Sequence, residues 1–583
     1  MTNFVKTPNI KVKGNFECFN GWQLIFQQIE NKLFSISLKK KVLVIECYQG
    51  VLVEELEENL KKQLAFASIT NAADLMHNQD FITQLVFPDV TDNRIFGFMT
   101  RLNIDSYFDN EKVEKYHNYL QQQNDGVHVI WGSGAAYVCP YADVLVYADM
   151  ARWEIQMRMR KHLVSNLGVS NKNTHDWMLL YKQGLFVDWR VCDRLKKKLI
   201  DKWDFVLDTN IIGSPKMVSG EAVRAGLRQA VEQPFSVVPF FDPGPWGGQW
   251  MKEKCNLDAS KPNYAWCFNC VPEEESLLLN FNGVFFEIPS INVVYYQPKK
   301  LLGNAVHGRF GDEFPIRFDY LDTMDGGHLS LQVHPLTEYI QENFGLHYTQ
   351  DESYYLMEAA SDAVVFLGLK EGVVPEAMIF DLEKAQAGNM IFDAEKHVQP
   401  WPASKHDHFL IPAGTVHCSG KNSMVLEISA TPFIYTFKLW DWGRLGLDGK
   451  PRPINIEHAK KNIQWDRTTA WTRKNLVNQI AKIAEGEGWM EEQTGLHERE
   501  FIETRRHWFT KTVKHSTNGG VNVICLVEGD AVLVESPSGA FEPFEVHYAE
   551  TFIVPAQIGN YQIRPNGTSE KYATMKAFVR TQA

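Results

Sequence analysis

The hydrophobic pattern of this 583-residue chain changes near residue 230, and that change constrains the fold more than any other feature. Before it, short apolar runs rich in Val and Ile alternate with segments of helical spacing; after it, short β-rich runs follow one another. The first pattern is typical of a parallel α/β sheet and the second of antiparallel barrels. The chain is also longer than one hydrophobic core normally supports. We therefore expect several domains of two different fold classes.

Three apolar runs in the first part are predicted strands: residues 41–46, 127–131 and 143–148. Residues 52–64 follow the first run with helical spacing, acidic residues early and lysines late, which suits the dipole of a helix. The third run leads into a basic helical segment around residues 150–162. This succession of strands and helices predicts a parallel sheet.

Two segments, DVLVYADMARWEIQMRMR at 143–160 and LNIDSYF at 102–108, resemble the nucleoside kinase and phosphoribulokinase group of P-loop folds. The resemblance implies a kinase-like α/β domain over residues 1–230. Such kinases hold phosphates with a Gly-x4-Gly-Lys-Ser/Thr turn after the first strand. Here the turn reads ECYQGVLVEE, with one glycine, no lysine and no Ser or Thr. We therefore predict a structural or regulatory domain that lacks the phosphate loop and transfers no phosphoryl group.

Two further features of this part suggest ligands only weakly. Gly132-Ser133-Gly134 begins like a dinucleotide fingerprint, but Tyr137 stands at the third glycine position and blocks close helix packing, so a simple turn is expected. A basic helix face could bind an anion, although a solvated surface is the commoner outcome. The basic residues are Arg152, Arg158, Arg160 and Lys161.

Composition excludes several classes of partner. Lys and Arg number 59 against 71 Asp and Glu, so the net charge of −12 gives no general attraction to nucleic acid. The nine cysteines are scattered and odd in number, as in a reduced compartment, and the Cys267-x-x-Cys270 pair has no second pair at zinc-finger spacing. No long apolar stretch indicates a signal peptide or a membrane span. We expect a cytoplasmic protein with no membrane partner.

The second part carries short predicted strands at residues 283–287, 291–296, 363–367, 424–428 and 521–527. Two segments have similar form, FLIPAGTVH at 409–417 and FIVPAQIGN at 552–560. They suggest a duplicated barrel with a strand-to-turn transition at each Pro-Ala pair.

Two spaced motifs resemble the metal motifs of cupins, which are Gly-x5-His-x-His with a later Glu, and Pro-x-Gly-x2-His. Five residues separate Gly326 from Gln332-Val333-His334, and residues 412–417 (PAGTVH) match the second motif. Residues at i and i+2 of a strand face the same side, so Gln332 and His334 point into the barrel together. Glu352 follows His334 by 18 residues, and the intervening sequence is predicted to form an inserted helix and loop.

The cupin resemblance implies an all-β double cupin of jelly-roll barrels with a helical insertion. We expect a metal-binding cupin domain at residues 231–460 and a second barrel at 461–583. One Zn²⁺ per chain is expected, bound by Gln332, His334, Glu352 and His417, a mixed nitrogen and oxygen set. The second barrel has Asn560 where the first has its histidine, so it should bind no metal. The rival H-x-H pair, His406 and His408, is expected at the surface.

Six segments are similar to type I mannose-6-phosphate isomerases in order and spacing, across roughly residues 240–583. They are DPGPWGGQW (242–250), HLSLQVHP (328–335), DESYYLMEA (351–359), FLGLKEGV (366–373), IPAGTVH (411–417) and DWGRLGLDGKPRPINIEHA (441–459). The resemblance implies interconversion of mannose 6-phosphate and fructose 6-phosphate through an enediol, with a metal as the Lewis acid.

The resemblance also assigns residues to roles. Ser330 matches a position that contacts the substrate phosphate, and Glu427, Lys438 and Arg444 match the region near the reacting carbons. Two positions depart from the family: Gln350 stands where many relatives have a lysine, and Lys438 where many have an arginine. Lysine cannot hold a planar bidentate contact, so this exchange affects phosphate or enediolate binding.

Three functions remain open at this point. The first is mannose-6-phosphate isomerase, and the second is an isomerase of another phosphorylated aldose. The third is a sugar-phosphate-binding or sensing protein without turnover, which the departures at Gln350 and Lys438 favour. A small sugar phosphate is the expected partner in all three. The sequence leaves the oligomeric state open.

Overall fold

A computed structural model describes residues 3–430, 435–446, 449, 452, 454–495, 497 and 500–581. The chain divides into two compact units. The first, here called the α/β unit, comprises Asn9–Ala230 and Glu273–Tyr296. The second, here called the barrel unit, comprises Met1–Pro8, Val231–Pro272 and Gln297–Ala583.

The first 230 residues contain eight strands and nine helices within the described chain. The strands are β1 (Asn9–Lys11), β2 (Phe19–Asn20), β3 (Lys40–Cys47), β4 (Ser68–Asn71), β5 (Gly126–Gly132), β6 (Val144–Asp149), β7 (Phe205–Asp208) and β8 (Lys216–Ser219). The helices are α1 (Trp22–Phe34), α2 (Val53–Gln63), α3 (Gln79–Val90), α4 (Asn110–Gln122), α5 (Ala135–Val138), α6 (Arg152–Arg160), α7 (Trp177–Gln183), α8 (Trp189–Leu199) and α9 (Gly220–Ala230). A π-helical turn, Gly184–Asp188, joins α7 to α8.

The α/β unit is built on a seven-stranded sheet with the order β2-β8-β7-β6-β3-β5-β4. The five strands β7, β6, β3, β5 and β4 are parallel, and β8 and β2 extend the edge in antiparallel pairing. The apolar runs predicted as strands therefore form the centre of this sheet. Their side chains pack with α1 and α2 in one core that includes Ile25, Leu43, Leu56 and Val146.

The glycine turn after β5 is filled by a side chain of the same unit. Glu46, at the end of β3, accepts hydrogen bonds from the backbone N–H groups of Gly134 and Ala136, both at 2.7 Å. Ser133 Oγ donates to the carbonyl of Cys47 at 2.8 Å. Burial raises the pKa of the Glu46 carboxyl to about 8. The predicted simple turn thus has its N–H groups satisfied by an internal carboxyl.

The helix expected to present a solvated basic face instead buries two of its arginines. Arg152 and Arg158 are 3% and 1% exposed. Arg152 pairs with Asp193 at 2.5 Å, and Arg158 donates to the carbonyl oxygens of Gly50 and Thr209. The expectation of a solvated face is wrong for these residues, because the helix lies against the ends of the strands and α8, where their long side chains meet internal acceptors.

Residues 231–296 contain four short strands and two short helices, divided between the two units. They are β9 (Phe240–Asp242), α10 (Trp250–Lys254), β10 (Trp266–Cys270), β11 (Ser276–Phe281), β12 (Val284–Pro289) and α11 (Ile291–Tyr296). The strands β1, β11 and β12 form a small sheet in the α/β unit. Residues 291–296, predicted as a strand, form α11, a helix packed on α9. The strand prediction is wrong here because a short buried helix also needs apolar residues, so β-branched residues alone do not distinguish it from a strand.

The rest of the barrel unit begins with the elements of the first barrel. They are α12 (Pro298–Leu302), α13 (Asn304–Phe310), β13 (Arg317–Asp322), β14 (Leu331–Val333), α14 (Thr337–Phe344), β15 (Glu352–Ala359), β16 (Val364–Leu369), α15 (Pro375–Gln386), α16 (Ala394–His397), β17 (Val398–Pro402), β18 (His408–Ile411), β19 (His417–Ser419), β20 (Ser423–Ser429), β21 (Phe437–Trp440), α17 (Ile456–Ala459) and α18 (Thr469–Asn475). The helix predicted between His334 and Glu352 is α14.

Two antiparallel sheets make up the first barrel. One has the order β18-β15-β20-β13-β10-β9 and the other β17-β16-β19-β14-β21. The second barrel has the same plan, with a six-stranded sheet β22-β23-β24-β31-β26-β29 and a four-stranded sheet β25-β30-β27-β28. Paired antiparallel sheets of this kind are the architecture of a jelly roll.

The strands of the second barrel are short and closely spaced. They are β22 (Ala481–Gly486), β23 (Trp489–Gly495), β24 (Ile502–Phe509), β25 (Val513–Ser516), β26 (Asn522–Glu528), β27 (Ala531–Glu535), β28 (Phe544–His547), β29 (Thr551–Val554), β30 (Asn560–Pro565) and β31 (Tyr572–Val579). Ile524 and Phe552 from one sheet share a core with Val532 and Ile563 from the other. The two similar sequence segments occupy similar places, since each ends a strand and turns at its Pro-Ala pair.

All nine cysteines are free thiols. Among the described residues, no helix has the length and apolar character that crossing a membrane requires.

The buried ion pair of the α/β unit yields a stability prediction. Arg152→Met should lower the free energy of unfolding by about 3–5 kcal/mol, because it removes the guanidinium that pairs with the buried Asp193 carboxylate, which keeps hydroxyl donors such as Tyr48. Equilibrium urea denaturation of the full chain measures the change. The double variant Arg152→Met/Asp193→Leu should recover much of the loss.

The matched control is Lys61→Met, which breaks the exposed Lys61–Glu57 pair. It should change stability by less than about 0.5 kcal/mol, as exposed pairs contribute little. An Arg152→Met variant as stable as the control variant would refute a structural role for the buried pair.

Candidate functional site

The predicted metal ligands converge from both sheets of the first barrel. Gln332 lies in β14, and His334 follows directly after that strand. Gln332 pairs across the sheet with His417 of β19 on one side and with Lys438 of β21 on the other. Glu352 begins β15 in the facing sheet. The site therefore forms only when the two sheets close on each other.

Three of the predicted ligands are in contact. Glu352 Oε2 lies 3.0 Å from His334 Nε2, and Glu352 Oε1 lies 2.9 Å from His417 Nε2. One potential ligand atom from each residue lies within 4.8 Å of the others. All three side chains are buried. In the part of the chain that the structure describes, this is the group of His, Cys, Asp and Glu residues that could hold a metal ion.

The hydrogen bonds of the imidazoles decide which nitrogen faces the site. His334 Nδ1 lies 3.0 Å from the Tyr435 carbonyl, and His417 Nδ1 lies 2.9 Å from the Thr415 carbonyl. A carbonyl accepts only, so each Nδ1 carries the proton in the neutral ring, and each Nε2 presents a lone pair to Glu352. The tautomer required of a metal-binding histidine is thereby set by the backbone.

This arrangement of side chains is more stable with a bound cation than without one. Two imidazole lone pairs face a carboxylate at contact distance, where acceptors repel one another. His334 Nε2 and Glu352 Oε1 have no hydrogen-bond partner among the described residues, although both are buried. Ligand atoms at about 2.0–2.2 Å from one Zn²⁺ would themselves lie about 3 Å apart, close to the distances here. The donor set therefore fits a divalent metal ion.

Gln332 lies next to this group, but its amide nitrogen, and not its oxygen, faces the site. Its Nε2 lies 3.2 Å from His417 Nε2, and its Oε1 accepts from Ser330 Oγ at 3.0 Å. The two ends of an amide are nearly equal in shape. Gln332 can offer its oxygen to a cation after a half-turn of the amide, which would then direct the amide N–H groups toward Ser330 Oγ.

The charges of the site shift the pKa of its members. Burial alone would raise the pKa of Glu352, but the neighbouring imidazoles of His334 and His417 hold it well below its usual range. Burial would lower the pKa of His334, and the Glu352 carboxylate raises it above its ordinary value. Glu352 is thus an ionised carboxylate, as a metal ligand must be.

Gln350 and Glu427 form a layer behind the carboxylate ligand. Gln350 Nε2 donates to Glu352 Oε2 at 2.8 Å and reaches Glu427 Oε1 at 3.4 Å. Burial and the negative charge of Glu352 raise the pKa of Glu427 well above its usual range. A neutral amide donor therefore supports Glu352 at the position where a lysine was noted in relatives.

A cationic group lies along β21 and the loop beyond it. Lys438 shares the barrel face with Gln332, its cross-strand partner. Arg444 and Arg452 both pair with the buried Asp441, at 2.5 Å and 2.8 Å. Burial, followed by the charge of Arg452, lowers the pKa of Lys438 to about 7. Two arginines share one carboxylate and Lys438 lies near them, so basic side chains outnumber the carboxylate beside the candidate metal site.

The other predicted residues fall in different surroundings. Ser330 is 1% exposed and its hydroxyl is engaged by Gln332. His406 Nδ1 bonds the Tyr355 hydroxyl at 2.8 Å, and its Nε2 lies 3.1 Å from Glu528. His408 is fully buried, so its expected surface position is wrong. The two histidines of this H-x-H pair have different surroundings. His406 faces Glu528 of the second barrel, and His408 lies in the core.

Sequence reasoning missed Arg452 and Asp441. Both lie in the segment DWGRLGLDGKPRPINIEHA. The signal available was a carboxylate followed by three basic residues in one loop, a pattern that commonly means a solvated turn. Only the burial of Asp441, 3% exposed, distinguishes this case.

Comparisons with known proteins give one match for the first 230 residues or so and other matches for part of the chain. Residues 21–232 match a family described as "Domain of unknown function (DUF8485)". The crystal structure of the mannose 6-phosphate isomerase from Bacillus subtilis aligns with a TM-score of 0.48 at 16% identity, covering 59% of this chain and 99% of that chain.

Curated relatives carry the same name. The chain is 27% identical over 235 residues to mannose-6-phosphate isomerase ManA of Bacillus subtilis, which covers 40% of this chain and 67% of that protein. It is 26% identical over 216 residues to a mannose-6-phosphate isomerase of Streptococcus mutans, covering 37% of this chain and 62% of the relative, less than two thirds. These relatives confirm the predicted resemblance of part of the chain to mannose-6-phosphate isomerases.

Proposed function

We propose that this protein is a metal-dependent aldose–ketose isomerase that interconverts mannose 6-phosphate and fructose 6-phosphate. The observation that carries the proposal is the convergence of two imidazoles on the Glu352 carboxylate, beside a partly buried cationic group. A cation and positive side chains are what an enediolate and a phosphate both require. The names of the curated relatives supply the substrate.

Zinc is the proposed ion, one per chain, held by Gln332, His334, Glu352 and His417. Two imidazoles, a carboxylate and an amide oxygen suit Zn²⁺, and such catalytic sites keep a position open for substrate. When bound, the ion would act as a Lewis acid toward the sugar oxygens at C1 and C2.

The chain's own residues would handle the protons and the phosphate. Conversion of the aldose moves a proton from C2 to C1 and reverses the oxidation levels of these carbons, so no outside oxidant is needed. Lys438, with a pKa of about 7, can take a proton and return it near neutral pH. Glu427 is proposed as the second acid/base group.

Arg444 and Ser330 are proposed as contacts for the anionic substrate. Arg444 already pairs with Asp441, so its guanidinium is held in place before substrate arrives. Ser330 would reach the substrate only when its hydroxyl turns from Gln332. Gln350 favours a second candidate, a sugar-phosphate sensor, because an amide replaces the proton-bearing lysine there.

For the α/β unit we propose a P-loop-kinase-like fold without the phosphate loop, in a structural or regulatory role. Its support is the parallel sheet with β3 at the centre, followed by the turn that lacks lysine and Ser or Thr. We also keep the division of the remaining chain into domains at 231–460 and 461–583, and a cytoplasmic location, as predictions.

The first prediction from this proposal concerns metal content. The purified protein should hold one divalent ion per chain, removable by chelator, and His417→Ala should lose it because the site then lacks an imidazole. Elemental analysis measures both. The control His406→Ala removes a half-buried histidine outside the site and should retain the ion. Two ions per chain, or an ion that survives His417→Ala, would contradict the ligand assignment.

The second prediction concerns turnover. Mannose 6-phosphate should be isomerised in a coupled assay, and Lys438→Met should lower the rate by about 10²–10³ while metal content stays constant, since a positioned charge and proton carrier are lost. The control Lys474→Met removes an exposed lysine of the same barrel. An inactive wild type that binds the sugar phosphate would favour the sensor, and a fast Lys438→Met variant would shift the role to Arg444.

The third prediction concerns the α/β unit. The full chain should hydrolyse no ATP and transfer no phosphoryl group, because the turn after β3 has no lysine for the phosphates and no Ser or Thr for Mg²⁺. A radiolabelled-phosphate release assay tests it. Hydrolysis at ordinary kinase rates that disappears when residues 1–230 are deleted would overturn the prediction.

A further inference from the structure

The interior of the second barrel contains a cluster of polar side chains next to its apolar core. His507 of β24 pairs across the sheet with Thr574 of β31, and Arg505 pairs with Lys576. On the other side of β31, Thr574 pairs with Leu526 and Lys576 with Ile524. Leu526 and Ile524 belong to the apolar core of this barrel. Cross-strand partners share a face, so the polar side chains point into the same interior.

Two more polar residues approach from the facing sheet. His515 of β25 pairs with Tyr561 of β30, a core residue, and their rings are stacked with centroids 5.1 Å apart. The His507 and His515 rings lie 4.4 Å apart, edge to face. The sheets therefore bring two imidazoles, a hydroxyl and an ammonium together in a buried place.

Several of these groups are left without partners. His507 Nδ1, His515 Nε2 and Thr574 Oγ1 are buried and have no hydrogen-bond partner within the described chain. Lys576 is 6% exposed, and the described residues include no carboxylate in ion-pair contact with it. Buried polar atoms normally have partners, and each one left without a partner is costly.

The nearby carboxylate is already neutralised. Glu491 Oε1 lies 3.1 Å from His507 Nε2 and 3.0 Å from Arg505 Nη1. Burial lowers the pKa of Lys576 to about 8, so the side chain is still mostly charged at pH 7. Burial likewise lowers the pKa of His507 to about 4, so that ring is neutral. Arg505 also lies 2.7 Å from Glu503, so both carboxylates near Lys576 are engaged by Arg505, and Lys576 makes no ion pair of its own within the described chain.

The unused donors and acceptors define the ligand that would fit. Lys576 calls for an oxyanion. His507 donates through Nε2 to Glu491, so its Nδ1 is a lone-pair acceptor that calls for a hydroxyl donor. His515 and the Thr574 hydroxyl can each donate or accept. We propose that the second barrel binds a small polyhydroxylated anion, a sugar acid or a sugar phosphate, at a site distinct from the metal-ligand site of the first barrel.

The mouths of β-barrels commonly hold small ligands, and the interior of the second barrel offers polar groups for one. The proposal does not depend on isomerase activity, because it uses none of the residues assigned to that reaction. It gives the duplicated barrel a binding role of its own.

Calorimetric titration of the full chain tests the site with three probes: gluconate, fructose 6-phosphate and inorganic phosphate. Lys576→Met should weaken binding of gluconate or of the second equivalent of fructose 6-phosphate by about tenfold or more, because a charged hydrogen bond is lost. Thr574→Val, which keeps the side-chain shape, should weaken it less. Metal content and isomerase rate should stay unchanged in both variants.

Lys514→Met is the matched control, since Lys514 precedes His515 on the same strand but is exposed on the outside of the barrel. It should bind as the wild type does. Thermal unfolding shows whether Lys576→Met folds, and Thr574→Val serves if it does not.

Binding of gluconate alone would identify a sugar-acid site, and binding of fructose 6-phosphate alone a sugar-phosphate site. Binding of inorganic phosphate with equal affinity would contradict the required hydroxyl groups. The proposal is overturned if the wild type binds neither sugar probe at millimolar concentration, or if binding is lost in His417→Ala and kept in Lys576→Met.

Discussion

The meeting of Glu352 with His334 and His417 is the interaction on which the first barrel depends. Backbone carbonyls fix the protons of both rings on Nδ1, so two lone pairs face a carboxylate at 2.9–3.0 Å in a dry interior. With both rings neutral such an arrangement is repulsive, and a bound cation, or a proton on an imidazole, makes it favourable. Metal binding would therefore stabilise the barrel as well as prepare it for chemistry, because a ligand that binds only the folded state shifts the folding equilibrium.

The two barrels use one architecture for different interiors. In the first, a carboxylate and two imidazoles offer ligand atoms for a positive ion; in the second, Lys576 lies beside imidazoles and a hydroxyl and makes no ion pair within the described chain. The difference arises from a few interior-facing positions on otherwise similar sheets. A duplicated fold can thus keep its apolar core while its polar end changes the class of ligand.

In the α/β unit, by contrast, side chains of the protein itself form the hydrogen bonds and ion pairs that a ligand could otherwise make. Glu46 accepts the N–H groups of the glycine turn, and Arg152 and Lys196 pair with Asp193 and Asp149. These contacts bury charge in matched pairs near the ends of the parallel strands. They are consistent with a unit whose buried polar groups hold the fold together.

The sequence by itself determined the change of fold class near residue 230, the central strands, the helix after His334 and the four ligand candidates, because strand periodicity and motif spacing are local properties. Tertiary structure decided the rest. It placed Glu352 against both histidines, buried Asp441 with Arg444 and Arg452, made a helix of residues 291–296, and brought Lys576 near His507 and His515. Each of these depends on contacts between residues far apart in the chain, and burial, which sets their chemistry, exists only after the sheets have closed.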